Sequence, residues 1–368
     1  MNVLVTGSNG FIAKNLIVHL QSKNSYKVIK LKKNYSTYDL KKKILDSDII
    51  FHLAGVNRAN NSKQFFYNNY ILTKKICSII KSSKKKIKII FSSSIQAKKN
   101  NFYGNSKIKS EKEILKLKKF KNVNILIYRL PNVFGKWAKP FYNSVVATFS
   151  YQVSRNKKIN IFSNKELKLL YIDDLIKDFL KIIQIKRFLK SYRVIKNIQK
   201  IRLNKLASII QSFNSSKNVL FKKKSNNLIA NLYSTYLSYI PKKLVSYDID
   251  KFEDHRGKFI EFIKCDNFGQ ISFFTIFPKK VRGNHYHHSK TEKFLVINGI
   301  VKFNFINIIT KKKYSIIVNE KKEKVVITQP GWAHNLVNIG KKTAKIIVWS
   351  NEVFNKYNPD TIIYKLQK

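Results

Sequence analysis

With 368 residues the chain can hold about two domains, and a hydrophobic share of 44% with 13% aromatics excludes disorder as its dominant state. No run approaches the 18 apolar residues of a membrane-crossing helix, residues 1–7 carry neither a basic segment nor a cleavage site, and Cys77 and Cys265 form no paired spacing; a reduced, cytoplasmic chain without membrane insertion is expected. The formal charge of +53 raises a nucleic-acid partner, but eight Arg stand against 65 Lys, scattered among Ile, Asn, Phe and Tyr that share A/T-rich codons, so no specific nucleic-acid partner is expected.

The first 30 residues read as strand, glycine turn, helix and strand. Val3-Leu4-Val5 is a short apolar run, Gly7-Ser8-Asn9-Gly10 a turn, and Phe11, Leu16, Ile17 and Leu20 fall on one helical face. Val28-Ile29-Lys30-Leu31 is the second strand. Buried strands are predicted at 49–53 and 87–92, with helices near 61–80 and 105–120. This alternation predicts an α/β fold, a Rossmann-like, doubly wound parallel sheet, over residues 1–244. Past the aromatic stretch 232–241 the texture changes. Short β-rich runs at 257–264, 270–277, 292–303, 314–319, 324–328, 333–338 and 343–350 predict an all-β sandwich or barrel over residues 245–368.

Chemistry concentrates at both ends. Gly7 permits a tight turn, and Gly10 lets the backbone approach a pyrophosphate that the next helix N-terminus favours. The second strand ends Lys30-Leu31-Lys32-Lys33-Asn34, without the acid that the ribose hydroxyls of NAD require. Lys32 and Lys33 suit a 2′-phosphate, so NADPH is the expected cofactor. Tyr103-x-x-x-Lys107 is a spacing that this composition produces about three times by chance. Its context carries the weight: Ser92-Ser93-Ser94 ends a predicted strand nine to eleven residues earlier, and the pair opens a predicted helix. On a helix, positions i and i+4 share a face, and an ammonium there lowers a phenol's pKa.

Gly7-x-x-Gly10-x-x-Ala13, His52-Leu53-Ala54-Gly55, Ser92-Ser93-Ser94, Tyr103-x-x-x-Lys107, Tyr128–Gly135 and Tyr171-Ile172-Asp173-Asp174 occur in order. Together they resemble the extended short-chain dehydrogenase/reductases, which act mostly on nucleotide sugars. The resemblance implies Tyr103 as catalytic acid, Lys107 orienting the nicotinamide ribose, and Ser94, or alternatively Ser93, holding the substrate carbonyl. It also implies cofactor contacts at Gly7, Asn9, Gly10, Phe11, Ile12, Leu53, Ala54 and Gly55.

In the β-rich part, Gly283-Asn284-His285-Tyr286-His287-His288 precedes Glu292 and Gly299, and Pro330-Gly331-Trp332-Ala333-His334 precedes Asn338. Four of the seven histidines of the chain fall in these two motifs. On a strand, His285 and His287 point to one face. With Glu292 and His334 they make three imidazoles and a carboxylate, a set that suits zinc or another divalent metal. The motifs resemble the cupin superfamily. Asp254–Glu261, Arg282-Gly283-Asn284-His285 and Lys293 also resemble the cupin-folded deoxysugar 3,5-epimerases, in which the histidine of the RG-x-H element is a base. His285 cannot be both a tight metal ligand and a free base, and Tyr286, His288 and Lys293 are further acid/base candidates.

The pairing of a reductase with a cupin, together with Leu53–Arg58, Ser92–Ala97, Pro131–Trp137 and Tyr233–Tyr239, resembles the bifunctional enzymes of capsule and O-antigen synthesis over essentially the whole length. That resemblance implies a homodimer in UDP-N-acetyl-L-fucosamine synthesis. The cupin part would epimerise C3 of a UDP-2-acetamido-2,6-dideoxy-4-hexulose, and the reductase part would reduce its C4 ketone. The residues alone fix neither the base nor the C2 substituent, and a dTDP-4-keto sugar would use the same groups.

Overall fold

Strand residues of the first half alternate between two layers of helices, and that alternation explains the sheet. In β1 (Asn2–Thr6), Val3 and Val5 pack with the face of α1 (Phe11–Gln21) carrying Leu16, Ile17 and Leu20, while Leu4 packs on the other side. The structure is a computed structural model that describes residues 1–59, 61–161, 163–214, 228–265, 268–321, 323–357 and 359–366. The chain divides into two compact units that part between Lys242 and Lys243.

The first unit continues with β2 (Lys27–Leu31), α2 (Thr37–Asp46), β3 (Ile49–His52), α3 (Ser62–Phe65), a π-helical turn (Phe66–Ile71), α4 (Leu72–Ser82), β4 (Ile87–Ser94), α5 (Phe102–Lys116) and β5 (Val123–Leu130). The strands are parallel in the order β2-β1-β3-β4-β5. Leu40, Ile44, Ile76, Ile80 and Ile114 from α2, α4 and α5 cover one face. Each such side chain contributes roughly 1.5–3 kcal/mol on burial. The order reverses between β1 and β3, which opens a crevice at the strands' C-terminal ends. Beyond β5 come β6 (Asn132–Phe134), α6 (Val145–Val153), β7 (Glu166–Tyr171), α7 (Ile172–Gln184), β8 (Gln199–Arg202), α8 (Leu203–Ser212) and α9 (Leu228–Leu237). The face of α7 with Leu175, Ile176, Phe179 and Ile182 joins α1 in the second helical layer.

The second unit is antiparallel. It runs β9 (Lys251–Asp254), β10 (Gly257–Cys265), β11 (Gly269–Ile276), β12 (Val281–Tyr286), β13 (Glu292–Asn298), β14 (Ile300–Asn307), β15 (Lys313–Asn319), β16 (Val325–Ile327), β17 (Trp332–Asn338), β18 (Ala344–Ser350) and β19 (Ile362–Ile363). Two sheets, β16-β13-β18-β11-β10-β9 and β15-β14-β17-β12-β19, share one core of Phe274, Phe294, Phe303, Phe305, Leu336 and Ile346. This is the cupin-like part. The run at 292–303 is two strands, because Gly299 at φ +93 turns the chain between β13 and β14. No helix among the described residues is long and apolar enough to cross a membrane.

Candidate functional site

The nucleotide end is built by close backbone approaches. Gly7 sits at φ +63, and a Cβ there would stand 2.7 Å from Ala54 Cα and 3.0 Å from Ala54 N. No larger residue fits that turn without strain. Gly10 donates its N–H to Gly7 O at 2.7 Å and caps α1 in extended conformation. Asn9, Gly10, Phe11 and Ile12 then line one end of a cleft of about 1360 Å³, with Leu53 and Gly55 beside them. Ala54 backs the Gly7 turn instead of facing the cleft, and its N–H donates to Thr6 Oγ1 at 3.1 Å. Lys32 and Lys33 are exposed just past β2.

The same cleft is lined by Ser94, Tyr103 and Lys107. Asn101 caps α5 by accepting the Gly104 N–H at 2.7 Å. A Cβ on Gly104 would collide with the carbonyl oxygens of Gln96 and Lys99, so glycine lets the first turn of α5 press onto the turn after β4. That contact brings the Tyr103 phenol to the cleft wall that Ser94 also lines. One turn on, the buried Lys107 Nζ donates to Ser92 O at 2.9 Å and lies 5.1 Å over the Phe91 ring. Burial pushes this ammonium down to about 8, against the Glu111 carboxylate, which raises it. The Tyr103 phenol is raised, chiefly by burial, with the Ser94 hydrogen bond opposing. The expectation of an ammonium-lowered phenol is therefore corrected: desolvation wins, and the Lys107 ammonium is directed at Ser92 O.

Ser93 and Ser94 separate clearly. Ser93 Oγ donates to the fully buried carboxylate of Glu111, which also takes a fork from Arg129 (Nε 2.9 Å, Nη2 2.6 Å) and the Tyr192 hydroxyl at 2.9 Å. Ser93 is thus committed to a structural network, and Ser94 is the serine facing Tyr103. Sequence reasoning missed Glu111, although it lies four residues past Lys107 on the same helical face. It also missed Asn69, on the π-helical turn. The Asn69 Oδ1 accepts from Val56 N at 2.8 Å, and its Nδ2 donates to Val56 O at 3.0 Å and Ser106 Oγ at 2.9 Å. It ties the loop after β3 to the helix of Tyr103 and Lys107.

In the second unit β12 and β17 bring His285 and His334 into direct register. A Cβ on Gly283 would stand 2.8 Å from His334 O, so glycine lets β12 close on β17 at that level. Glu292 opens β13, and His287 lies one residue past the end of β12. The ligating atoms of His285, His287, Glu292 and His334 all lie within 4.8 Å of one another. Glu292 Oε2 is 3.1 Å from His287 Nε2 and 3.3 Å from His334 Nε2. Burial first, then the neighbouring His334, pushes His285 down to about 3. Burial works against the Glu292 carboxylate, yet the His287 hydrogen bond and the His334 ring beside it hold it below the ordinary range. Neither ring nitrogen of the buried His334 has a hydrogen-bond partner, a cost of about 1–3 kcal/mol that a cation would relieve. Three imidazoles and a carboxylate fit zinc or a similar divalent ion.

The strand-period argument for His285 and His287 needs amending. β12 ends at Tyr286, with an irregularity between Gly283 and His285, and His287 reaches the cluster from the following turn. Lys293 is not brought to the cluster. It follows Glu292 on β13, so the pleat sends it to the opposite face, where it is exposed with Nζ 5.5 Å over the Trp349 ring. His288 is exposed as well, its ring 5.4 Å from that of Tyr286.

Residues 3–196 match the NAD dependent epimerase/dehydratase family, and the chain belongs to it. Residues 252–362 match the polysaccharide biosynthesis C-terminal domain. The chain is 42% identical, over 98% of both proteins, to a UDP-2-acetamido-2,6-beta-L-arabino-hexul-4-ose reductase of Pseudomonas aeruginosa. It is similar along its whole length to the crystal structure of the capsular polysaccharide assembling protein CapF from Staphylococcus aureus, with 36% identity, full coverage of both chains and a TM-score of 0.90. A UDP-glucuronic acid 4-epimerase from Bacillus cereus, 18% identical with a TM-score of 0.56 over 65% of this chain and 99% of that one, shares the fold of the first unit. The sequence-based expectation of an extended short-chain dehydrogenase/reductase followed by a cupin-like domain holds.

Proposed function

We propose that the chain is a UDP-sugar 4-ketoreductase of capsule or O-antigen synthesis that also carries a C3-epimerase. In this reading residues 245–368 epimerise C3 of a UDP-2-acetamido-2,6-dideoxy-4-hexulose. Residues 1–244 reduce its C4 ketone to UDP-2-acetamido-2,6-dideoxy-L-talose, a precursor of UDP-N-acetyl-L-fucosamine. The observation that carries the reductase reading is the convergence of Ser94, Tyr103 and Lys107, the last two one helical turn apart, in the cleft that the glycine turn opens. The full-length likeness to a hexulose reductase supports the substrate class.

The chemistry follows from the residues. NADPH, when bound, supplies the hydride for C4. Ser94 hydrogen-bonds the C4 carbonyl oxygen. Tyr103 transfers its phenolic proton to that oxygen, and burial, which keeps the phenol protonated at neutral pH, leaves it charged with that proton. Lys107 holds the nicotinamide ribose through its ammonium. The exposed Lys32 and Lys33, with no acid at the end of β2, favour the 2′-phosphate of NADPH over NADH.

In the cupin-like half, a base removes the proton at C3, which the adjacent ketone acidifies, and an acid returns one from the other face. Zinc or a similar ion held by His285, His287, Glu292 and His334 would supply Lewis acidity near the ketone. The proximity of His285 to the other three ligating atoms supports its role as ligand.

The test is mass spectrometry of the UDP-4-keto sugar incubated in heavy water. Without NADPH, one deuterium is expected at C3. With NADPH, oxidation of the cofactor is expected to match the gain of two hydrogens by the sugar. A UDP-4-keto sugar that left NADPH unoxidised would refute the reductase reading.

A further inference from the structure

We propose that Asp360 is a positioning residue for the histidine–glutamate centre, and that residues 360–364 form a strap that docks where the centre is built. The proposal rests on the metal reading above.

His287 can offer only one ring nitrogen to a cation. Its Nε2 faces Glu292 Oε2 at 3.1 Å. Its Nδ1 meets the backbone carbonyl oxygen of Asp360. A carbonyl only accepts, so Nδ1 carries a proton, and Nε2 is the nitrogen that would ligate a cation by giving up the proton it directs at Glu292. The place of that carbonyl is fixed by the Asp360 carboxylate. Oδ1 accepts from His288 N at 2.8 Å, while Oδ2 accepts from Ser289 N at 2.7 Å, Lys290 N at 2.8 Å and Ser289 Oγ at 2.9 Å. One side chain therefore organises the turn that follows His287, and its own main chain orients that imidazole.

The residues after it continue the contact. The buried Lys290 donates to Thr361 Oγ1 at 2.9 Å. β19 pairs with β12, with Ile363 opposite His285 and Ile362 opposite Tyr286, and Tyr364 N donates to Asn284 O at 2.8 Å. Residues 360–364 thus hold both the backbone of His285 and the ring of His287. A cation that binds the docked arrangement better must tighten the docking by the same factor.

The experiment uses the full-length protein stripped of metal, titrated with zinc against a chromophoric chelator. Asp360→Ala is expected to weaken zinc binding about 10- to 100-fold, the usual range for partners that orient metal ligands, with an unchanged far-ultraviolet circular dichroism spectrum. Asp360→Asn keeps one accepting oxygen and is expected to recover part of the loss. Backbone hydrogen exchange at 360–364 is expected to slow when zinc is added to the wild type. Wild-type zinc binding left within about twofold by Asp360→Ala, with exchange at 360–364 indifferent to zinc, would overturn this proposal alone. A wild-type chain that bound zinc no better than His334→Ala would overturn the metal reading and this proposal together.

Discussion

The nucleotide cleft and the histidine–glutamate centre solve different positioning problems. The cleft is made of short local pieces: a turn of four residues, the end of one strand, and one helical face with Tyr103, Lys107 and Glu111 at four-residue steps. Its groups are tuned by burial against a charge network, with Lys107 pushed down to about 8 and Tyr103 raised. The centre collects four side chains from β12, the turn after it, β13 and β17, and depends on backbone register more than on local sequence. Local pieces give a site that point substitutions disable chemically. A register-built site fails through geometry, by loss of ligand binding.

The sharpest way to break that contrast is at Tyr103. Tyr103→Phe keeps the ring and its 5.8 Å packing on Phe65 but removes the proton, so NADPH oxidation is expected to fall roughly 10²- to 10⁴-fold with little change in thermal midpoint. A residual rate within a few-fold of wild type would remove Tyr103 from the acid role. His334→Ala is the counterpart. It is expected to abolish stoichiometric zinc, read by metal analysis after dialysis, because opening one of four ligand positions weakens the rest.

The pH profile sharpens the comparison further. Lys107 is charged below its folded pKa of about 8 and loses its proton as pH rises through that value. kcat/KM for NADPH, which reports the free enzyme, is therefore expected to fall above about pH 8. Glu111→Gln removes the charge that raises Lys107, and should move the falling limb to lower pH. A limb that did not move would separate Glu111 from the site. Smallest is the cofactor effect. Replacing Lys32 and Lys33 by Ala is expected to cost about tenfold in preference for NADPH over NADH, equivalent to about 1.4 kcal/mol.

The local character of the cleft explains why most of it could be read from the sequence. Gly7, Gly10, Ser94, Tyr103 and Lys107 announce themselves within windows of a few residues, and the strand–helix alternation supplies their context. Asn69 was hidden because a π-helical turn shifts the face on which it projects, away from ordinary helical spacing. In the β-rich half, the motif spacing brought out the four histidine and glutamate positions. The pleat separates Lys293 from Glu292 on β13, and the resemblance that named Lys293 overrode it. Asp360 left no trace in the sequence, since its partners lie some 70 residues earlier and are mostly main-chain N–H groups.

The central claim is that each half performs its own step. It is tested most directly by following deuterium from heavy water into C3 of the UDP-4-keto sugar, without NADPH, in Tyr103→Phe and His334→Ala side by side. Tyr103→Phe is expected to exchange C3 at the wild-type rate, while His334→Ala loses exchange yet still oxidises NADPH on ketone supplied in the epimerised form. Loss of exchange in Tyr103→Phe, or undiminished exchange in His334→Ala, would contradict the division.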